Sequence, residues 1–185
     1  KLTYDCIPPY YRYNIAIMPP VKEFLTMEKG RRLEGKVAVV TGSGSSANGI
    51  GNGKATAVLF AREGAKVLLV DATTERAEET LSMISEEGGE ASIFQADVTK
   101  LEDCRAMIAA AVDRYGGLDI LDNNVGISIR ADVTEVTEEQ WDHIMAVNVK
   151  SIMLCSKFAI PEMAKRGGGS VINISSIAGL RANSS

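Results

Sequence analysis

Apolar and polar residues follow two alternating patterns along the chain from position 36 onward. Short runs that are apolar on both faces predict buried strands, and longer segments with apolar residues at helical spacing predict helices. The predicted strands cover residues 37–41, 66–71, 90–96, 118–122 and 170–174. The predicted helices cover residues 53–63, 74–87, 101–115 and 138–166.

Glycines and capping residues mark the helix boundaries. Gly64 follows the first predicted helix as a C′ residue, and a Thr-Thr-Glu-Arg-Ala-Glu run predicts a capping box at the start of the second. The fourth predicted helix is long, and we expect a break near residues 146–148.

Strands that alternate with helices predict an α/β fold. We expect a doubly wound parallel sheet, Rossmann-like, in a three-layer αβα arrangement. Right-handed crossovers give the strand order 3-2-1-4-5. A ligand is expected outside the carboxyl ends of the strands, where the strand order reverses beside the first strand.

A glycine-rich segment joins the first predicted strand to the first predicted helix. Residues 41–53 read Thr-Gly-Ser-Gly-Ser-Ser-Ala-Asn-Gly-Ile-Gly-Asn-Gly. Such a turn lets bare backbone approach a phosphate, and the helix N-terminus adds free N–H groups and a partial positive charge. The segment therefore predicts a site for the pyrophosphate of a dinucleotide, built without a basic patch.

Asp71 ends the second predicted strand, 18 residues beyond Gly53. A ribose-binding carboxylate is expected at roughly 20 residues. The Asp71 carboxylate could accept hydrogen bonds from both ribose hydroxyls of adenosine, and it would repel a 2′-phosphate. Ala72 follows it, and residues 43–48 contain no Lys or Arg. NAD is therefore favoured over NADP as the cofactor; the alternative for Asp71 is that it only caps a loop.

Composition narrows the classes of partner. The chain has 185 residues and a net charge of −4, with 45% hydrophobic and 24% charged residues. These values suit one globular domain and disfavour nucleic acid or an anionic membrane as a partner. No uninterrupted apolar run reaches the roughly 18 residues that span a bilayer. Cys6, Cys104 and Cys155 lack metal-ligand spacing, so we expect reduced thiols, no metal site and a cytoplasmic protein.

Five short motifs, in order, resemble the short-chain dehydrogenase/reductase family from about position 31 to the last residue. They are Thr41-Gly42 with Gly51-Asn52-Gly53, Asp97-Val98, Asn123-Asn124-Val125-Gly126, Val147-Asn148-Val149, and the Ile172–Gly179 stretch that contains Ser175-Ser176. The resemblance implies an NAD(P)-dependent oxidoreductase that transfers a hydride between a nicotinamide and a secondary alcohol or ketone. It also implies a small-molecule substrate and an intact parent that is a homodimer or homotetramer.

The resemblance assigns roles to individual residues. Ser176 would orient the substrate oxygen, with Ser175 as the alternative, and Asn148 would hold a water that links the family's catalytic Lys to solvent. Asn148 could also be a helix-kink residue, and the two roles are compatible. The residues implied in cofactor binding are Thr41, Gly42, Ser43, Gly51, Asn52, Gly53, Asp71, Asp97, Val98, Asn124, Val125 and Gly126. His143, the sole histidine, is expected to be structural or solvent-facing.

Two positions depart from the family pattern. Eight residues separate Gly42 from Gly51, more than the family has, and the extra ones either bulge into solvent or fold over the cofactor. Asp122 stands where the family usually has an apolar residue. A buried, unpaired carboxylate would be costly or stay protonated; otherwise the position is partly exposed, or the sequence is in error there.

Both ends of the sequence bear on how much of such an enzyme is present. Residues 1–30 are predicted to be a disordered or non-native extension, with Met27 as the natural start, and residues 31–185 a dinucleotide-binding Rossmann domain. The family's Tyr-x-x-x-Lys would follow Ser176 by roughly thirteen residues, beyond Ser185. We therefore expect a fragment that is incomplete at the C-terminal side of its sheet, inactive alone and inclined to aggregate. The alternative is a non-catalytic NAD(H)-binding module.

Overall fold

The computed structural model describes residues 30–45, 49–129 and 131–179, so the predicted N-terminal extension, apart from residue 30, lies outside the described residues. The strands within this part are β1 (Val37–Thr41), β2 (Lys66–Asp71), β3 (Ala91–Gln95), β4 (Ile120–Asn123) and β5 (Ser170–Asn173). The helices are α1 (Asn52–Arg62), α2 (Thr74–Glu86), α3 (Leu101–Tyr115), α4 (Glu138–Met145) and α5 (Ser151–Lys165). A π-helical turn, Ala146–Lys150, joins α4 to α5, and a short 3₁₀ turn, Ile177–Gly179, follows β5.

The strands form one parallel sheet in the order β3-β2-β1-β4-β5. This confirms the predicted doubly wound arrangement and its strand order. β2 and β3 lie on one side of β1, and the chain then crosses to the other side of β1 for β4 and β5. The carboxyl ends of β1 and β4 therefore diverge into connections on opposite faces, which leaves a crevice between them.

Each face of the sheet is covered by a pair of helices. Apolar residues of β1, β2 and β4 pack with α3 and α5 in one core, which includes Val39, Leu68, Met107, Leu121 and Leu154. The opposite face packs with α1 and α2 in a second core, which includes Val40, Val58, Leu69 and Ile84. The predicted three-layer αβα arrangement is thus present. By contrast, Val171 and Ile172 of β5 are each 37% exposed.

The predicted capping box at the start of α2 is wrong. Thr73 is the N-cap residue, but its side chain makes no capping hydrogen bond. The main-chain N–H of Thr73 instead donates to Asp71 Oδ1, 3.1 Å away. The carboxylate of Asp71 therefore accepts the N–H that a Glu or Gln side chain at N3 would accept in a capping box.

The long helical region contains the break that the sequence predicts near residues 146–148, in the form of the π-helical turn. The whole segment Glu138–Lys165 spans 28 residues with a mean hydropathy of 1.3 over its most apolar stretch, so length and composition alone would allow a membrane span. In this fold the segment packs Leu154, Ala159 and Met163 into the core beside α3. The sequence-based expectation counted only uninterrupted apolar runs, so it did not identify this helix as long and apolar enough to span a bilayer.

Candidate functional site

A cleft of about 460 Å³ opens at the carboxyl ends of the strands, beside the point where the strand order reverses. It brings together seven of the residues that the family resemblance implicates in cofactor binding: Gly42, Asp71, Asp97, Val98, Asn124, Val125 and Gly126. A second cleft of about 450 Å³, between Arg62 and Gly88, contains none of the predicted site residues. The crevice expected from the topology is therefore also where the sequence motifs converge.

Hydrogen bonds join the ends of β1 and β4 at the floor of this cleft. Thr41 Oγ1 donates to the Asp122 carbonyl oxygen (3.1 Å) and accepts from the Asn124 main-chain N–H (3.1 Å). Asn124 Nδ2 donates to the Gly42 carbonyl oxygen at 3.2 Å. Gly42 adopts φ +64°, which favours glycine. Thr41 is buried, so it fixes the loops around the cleft without lining it.

The first turn of α1 packs directly against this loop. A Cβ atom on Gly53 would overlap the Gly42 carbonyl oxygen and the Asn124 side-chain amide, so only glycine fits at that position. Gly51 is the N-cap residue of α1, and its N–H donates to Ser45 Oγ (3.2 Å). The three residues Gly51, Asn52 and Gly53 thus form the N-terminus of α1 and do not line the cleft.

Ser43 lies within the glycine-rich loop and does not line the cleft. It is fully buried, and its hydroxyl donates to the Val70 carbonyl oxygen at 3.3 Å. Its own carbonyl oxygen accepts from Thr80 Oγ1 at 2.8 Å. The side chain is therefore used inside the protein, where it ties the glycine-rich loop to β2 and α2. A contact between Ser43 and a cofactor stays a prediction.

Asp71 lies at the end of β2 with its carboxylate at the wall of the cleft. Oδ2 accepts from the Gly44 N–H and Oδ1 from the Thr73 N–H, each at 3.1 Å. The residue is only 9% exposed. Asp71 does cap the loop, as the alternative interpretation holds, and these two bonds fix the carboxylate that lines the cleft.

Asp97 and Val98 form the next part of the wall, after β3. Asp97 Oδ1 accepts from the Thr99 hydroxyl (2.6 Å) and the Thr99 N–H (3.0 Å). The Thr99 hydroxyl is the main cause that lowers the pKa of Asp97, so the side chain is a carboxylate at neutral pH. Val98 is buried, and its carbonyl oxygen accepts from Cys104 Sγ at 3.2 Å.

Asn148 lies in the π-helical turn and binds the loop that follows β4. Its Oδ1 accepts from the Ile127 N–H (2.9 Å), and its Nδ2 donates to the Ile127 carbonyl oxygen (2.8 Å). Both functional groups of the side chain are therefore occupied by one residue of the cleft wall. Ser176 follows β5, is exposed, and accepts from the Gly179 N–H through its carbonyl oxygen (3.0 Å).

The structure adds cleft residues that the sequence reasoning did not select, among them Arg76, Ile127, His143 and Val147. Arg76 follows Asp71 by five positions in the first turn of α2, and Val147 precedes Asn148, so both are adjacent to recognised motifs. His143 is exposed on α4, in agreement with the solvent-facing expectation, yet it also lies at the wall of the cleft.

Asp122 is buried, which rules out the partly exposed alternative for this position. It is 1% exposed, and neither carboxylate oxygen has a hydrogen-bond partner within the described residues. Burial raises its pKa to about 6. Within the same part of the chain, no group of three or more His, Cys, Asp or Glu side chains could hold a metal ion.

Comparison with known proteins agrees with the fold. The sequence profile described as short chain dehydrogenase matches residues 36–185. An uncharacterized oxidoreductase of Thermotoga maritima is 45% identical over 147 residues, which are 80% of this chain and 56% of that protein. The 2,5-dichloro-2,5-cyclohexadiene-1,4-diol dehydrogenase LinX of Sphingobium indicum is 44% identical over 149 residues, 80% of this chain and 58% of the relative.

A solved structure of a short chain dehydrogenase from Mycobacterium smegmatis superposes with a TM-score of 0.78 at 32% identity, covering 85% of this chain and 65% of that one. The chain therefore belongs to the short-chain dehydrogenase family, whose members are oxidoreductases that use NAD(H) or NADP(H). It spans between 53% and 60% of the length of the curated relatives it matches.

Proposed function

We propose that this chain forms the cofactor-binding part of an oxidoreductase that takes NAD(H) in preference to NADP(H). The observation that carries the proposal is the Asp71 carboxylate, which the Gly44 and Thr73 N–H groups hold at the wall of the cleft. A fixed carboxylate there suits a ribose with two free hydroxyls and disfavours a ribose that carries a phosphate.

The residues present fit a dinucleotide. Gly42 lines the cleft and packs against the first turn of α1, so a pyrophosphate there would meet main-chain N–H groups and the positive end of the helix dipole. Val98 offers an apolar wall for an adenine ring. A bound nicotinamide would supply the hydride chemistry, with a small secondary alcohol or ketone as the substrate class. The diol named in the LinX relative supports that class.

The chain's own residues would position the reacting groups. Ser176 would donate a hydrogen bond to the substrate oxygen. Asn148 would act as a positioning residue, because its side chain holds Ile127 beside the cleft. Oδ1 and Nδ2 of Asn148 each keep one further hydrogen-bonding position, which a bound water would use. Transfer of the alcohol proton would need the family's Tyr and Lys, so turnover is proposed for the intact parent enzyme, a cytoplasmic homodimer or homotetramer.

Isothermal titration calorimetry of the chain with NAD⁺ and NADP⁺ tests this proposal. We expect NAD⁺ to bind more tightly, and Asp71→Asn to weaken NAD⁺ binding by roughly tenfold, the value of one charge-assisted hydrogen bond to a ribose hydroxyl. Asp113→Asn removes an exposed carboxylate on α3 and is the matched control. A folded chain that binds neither nucleotide would overturn the proposal.

A further inference from the structure

Two thiols meet inside the core that α3 and α5 share. Cys104 lies at the start of α3 and Cys155 in α5, and their sulfur atoms are 3.7 Å apart. Cys104 is 0% exposed and Cys155 is 1% exposed, and both are free thiols among the apolar residues of this core. Because the S–S distance of a disulfide is about 2.05 Å, the two sulfurs need to approach by less than about 2 Å to form one.

The start of α3 also holds part of the wall of the cleft. The Asp97 N–H donates to Asp103 Oδ2 at 2.9 Å, and Cys104 Sγ donates to the Val98 carbonyl oxygen at 3.2 Å. Both Asp97 and Val98 line the cleft. In a disulfide neither sulfur carries a hydrogen, so Cys104 would no longer donate to Val98. A change at this buried sulfur therefore reaches the cleft wall through one hydrogen bond.

The contact between the two thiols makes them chemically unequal. The hydrogen bond that joins them lowers the pKa of Cys104 and raises the pKa of Cys155. Cys104 is therefore the sulfur that becomes a thiolate and attacks an oxidant, while Cys155 keeps its proton until a second step. The apolar core around the pair disfavours a charged or peptide-sized oxidant, so a small, neutral hydroperoxide is the class that fits.

We propose that hydrogen peroxide oxidises Cys104 and Cys155 to a reversible disulfide, and that this disulfide weakens cofactor binding because it releases Val98. The effect on binding rests on the proposed function, whereas formation of the disulfide does not. The Cys104 sulfur attacks one peroxide oxygen, the O–O bond breaks, and a sulfenic acid and water form. The Cys155 sulfur then attacks the Cys104 sulfur, the S–O bond breaks, and the oxygen leaves as a second water. The two thiols thus lose two electrons and two protons, and the peroxide takes up both.

Peptide mapping of the full chain tests the disulfide. Cys6→Ser serves as the background, so that only the two core thiols can react. After treatment with hydrogen peroxide, trypsin digestion without reduction releases Cys104 in peptide 101–105 and Cys155 in peptide 151–157. We expect these two peptides to be linked, in a protein that migrates as a single chain on a non-reducing gel. Oxidised glutathione should leave both thiols free.

Cys155→Ala in the same background is the matched control for the chemistry. It should give no linked peptide after peroxide treatment, and dimedone should trap a sulfenic acid at Cys104. Untreated, this variant keeps the Cys104 donor to Val98 and should bind NAD⁺ as the reduced chain does, which also shows that it is folded.

Isothermal titration calorimetry on the same preparations tests the effect on the cleft. We expect the disulfide form to bind NAD⁺ roughly three- to tenfold more weakly than the reduced form, the value of one lost hydrogen bond. Dithiothreitol should restore the affinity. This reversal separates the disulfide from oxidised methionine, because dithiothreitol does not reduce a methionine sulfoxide.

Each part of the proposal has its own contrary result. Free thiols at both positions, or a sulfonic acid at Cys104 without linked peptides, would overturn the disulfide. A link formed equally well by oxidised glutathione would overturn the choice of a hydroperoxide. Linked peptides with unchanged NAD⁺ affinity would overturn the release of Val98 and leave the proposed function intact. If the reduced, folded chain binds neither NAD⁺ nor NADP⁺, the proposed function and the effect on binding both fail, and the linked peptides still decide whether the disulfide forms.

Discussion

At the scale of single residues, Asp122 is the side chain of the sheet whose burial lowers the stability of the folded chain. It sits in β4 between Val40 of β1 and Ile172 of β5 in the strand register. Its carboxyl group is 1% exposed and has no hydrogen-bond partner within the described residues. A buried carboxyl group without a partner favours its neutral form, and this makes the stability of the sheet depend on pH.

The pH dependence follows from a pKa raised from 3.8 to about 6 in the folded chain. The folded state keeps the proton where the unfolded state releases it, so this contribution to stability is complete below about pH 4 and is lost as pH rises through about 6. The loss amounts to about 3 kcal/mol at neutral pH. We expect Asp122→Val to remove this slope and to raise the free energy of unfolding most above pH 6. Urea denaturation between pH 4 and 8 measures it.

Asp113→Asn, at an exposed position of α3, is the control for the Asp122 experiment and should keep the wild-type slope. Other carboxyl groups such as Asp97 have lowered pKa values and change the stability with pH in the opposite direction. The difference in the free energy of unfolding between wild type and Asp122→Val therefore isolates the contribution of Asp122. A difference that is constant from pH 4 to 8 would show that Asp122 does not titrate in this range.

Asn148 gives a second prediction at this scale. Asn148→Asp keeps the acceptor for the Ile127 N–H but sets a carboxylate oxygen against the Ile127 carbonyl oxygen, where Nδ2 now donates at 2.8 Å. We expect a loss of about 1–3 kcal/mol in the free energy of unfolding, together with weaker NAD⁺ binding as the cleft wall loosens. Ser82→Asp adds the same charge at an exposed position of α2 as control. Equal stability of the two variants would contradict the role of Asn148.

At the scale of elements, the contact between α1 and the end of β1 depends on Gly53. Gly53→Ala would place a methyl group onto the Gly42 carbonyl oxygen and the Asn124 amide, neither of which can move without breaking their mutual bond. We expect a loss of about 1–3 kcal/mol in stability and a loss of NAD⁺ binding. Thermal denaturation followed by circular dichroism measures the first. Asn52→Ala, the exposed neighbour, should leave the melting temperature within a few degrees of wild type; a similar melting temperature for both variants would contradict the close contact.

The types and order of the elements were predictable because their patterns are local. β1, β2 and α3 begin and end where the periodicity places them, and the other elements differ by up to two residues. The capping box at Thr73 failed because its N3 residue is Arg76, whose side chain has no acceptor, and Asp71 accepts from the Thr73 N–H instead. Arg76 and His143 were not selected for the cleft because their approach depends on how α2 and α4 pack on the sheet, and residue spacing along the chain does not specify that packing.

At the scale of the whole molecule, the described chain keeps two apolar surfaces exposed. One follows the α4–α5 segment, where Trp141, Met145, Val149 and Met153 recur every four residues and are 39–57% exposed. The other is formed by β5 and the residue after it, where Val171, Ile172 and Ile174 are 37–41% exposed. Contiguous apolar surface of this kind marks a site of association. Association through the α4–α5 segment would give an ordered assembly, whereas association through β5 would give aggregation along a strand edge.

The regular spacing on the α4–α5 segment favours an ordered helix-to-helix interface between two copies of the chain, as the proposed homodimer requires. We therefore expect sedimentation velocity to show a dimer or tetramer for the wild type, and Met153→Glu to shift it to monomer, because a charge in the centre of such an interface is costly to bury. Ala109→Glu, at an exposed position of α3, is the control and should keep the assembly. If Met153→Glu leaves the distribution unchanged while Ile172→Lys disperses it, the chain associates through the edge of β5, and the α4–α5 interface is wrong.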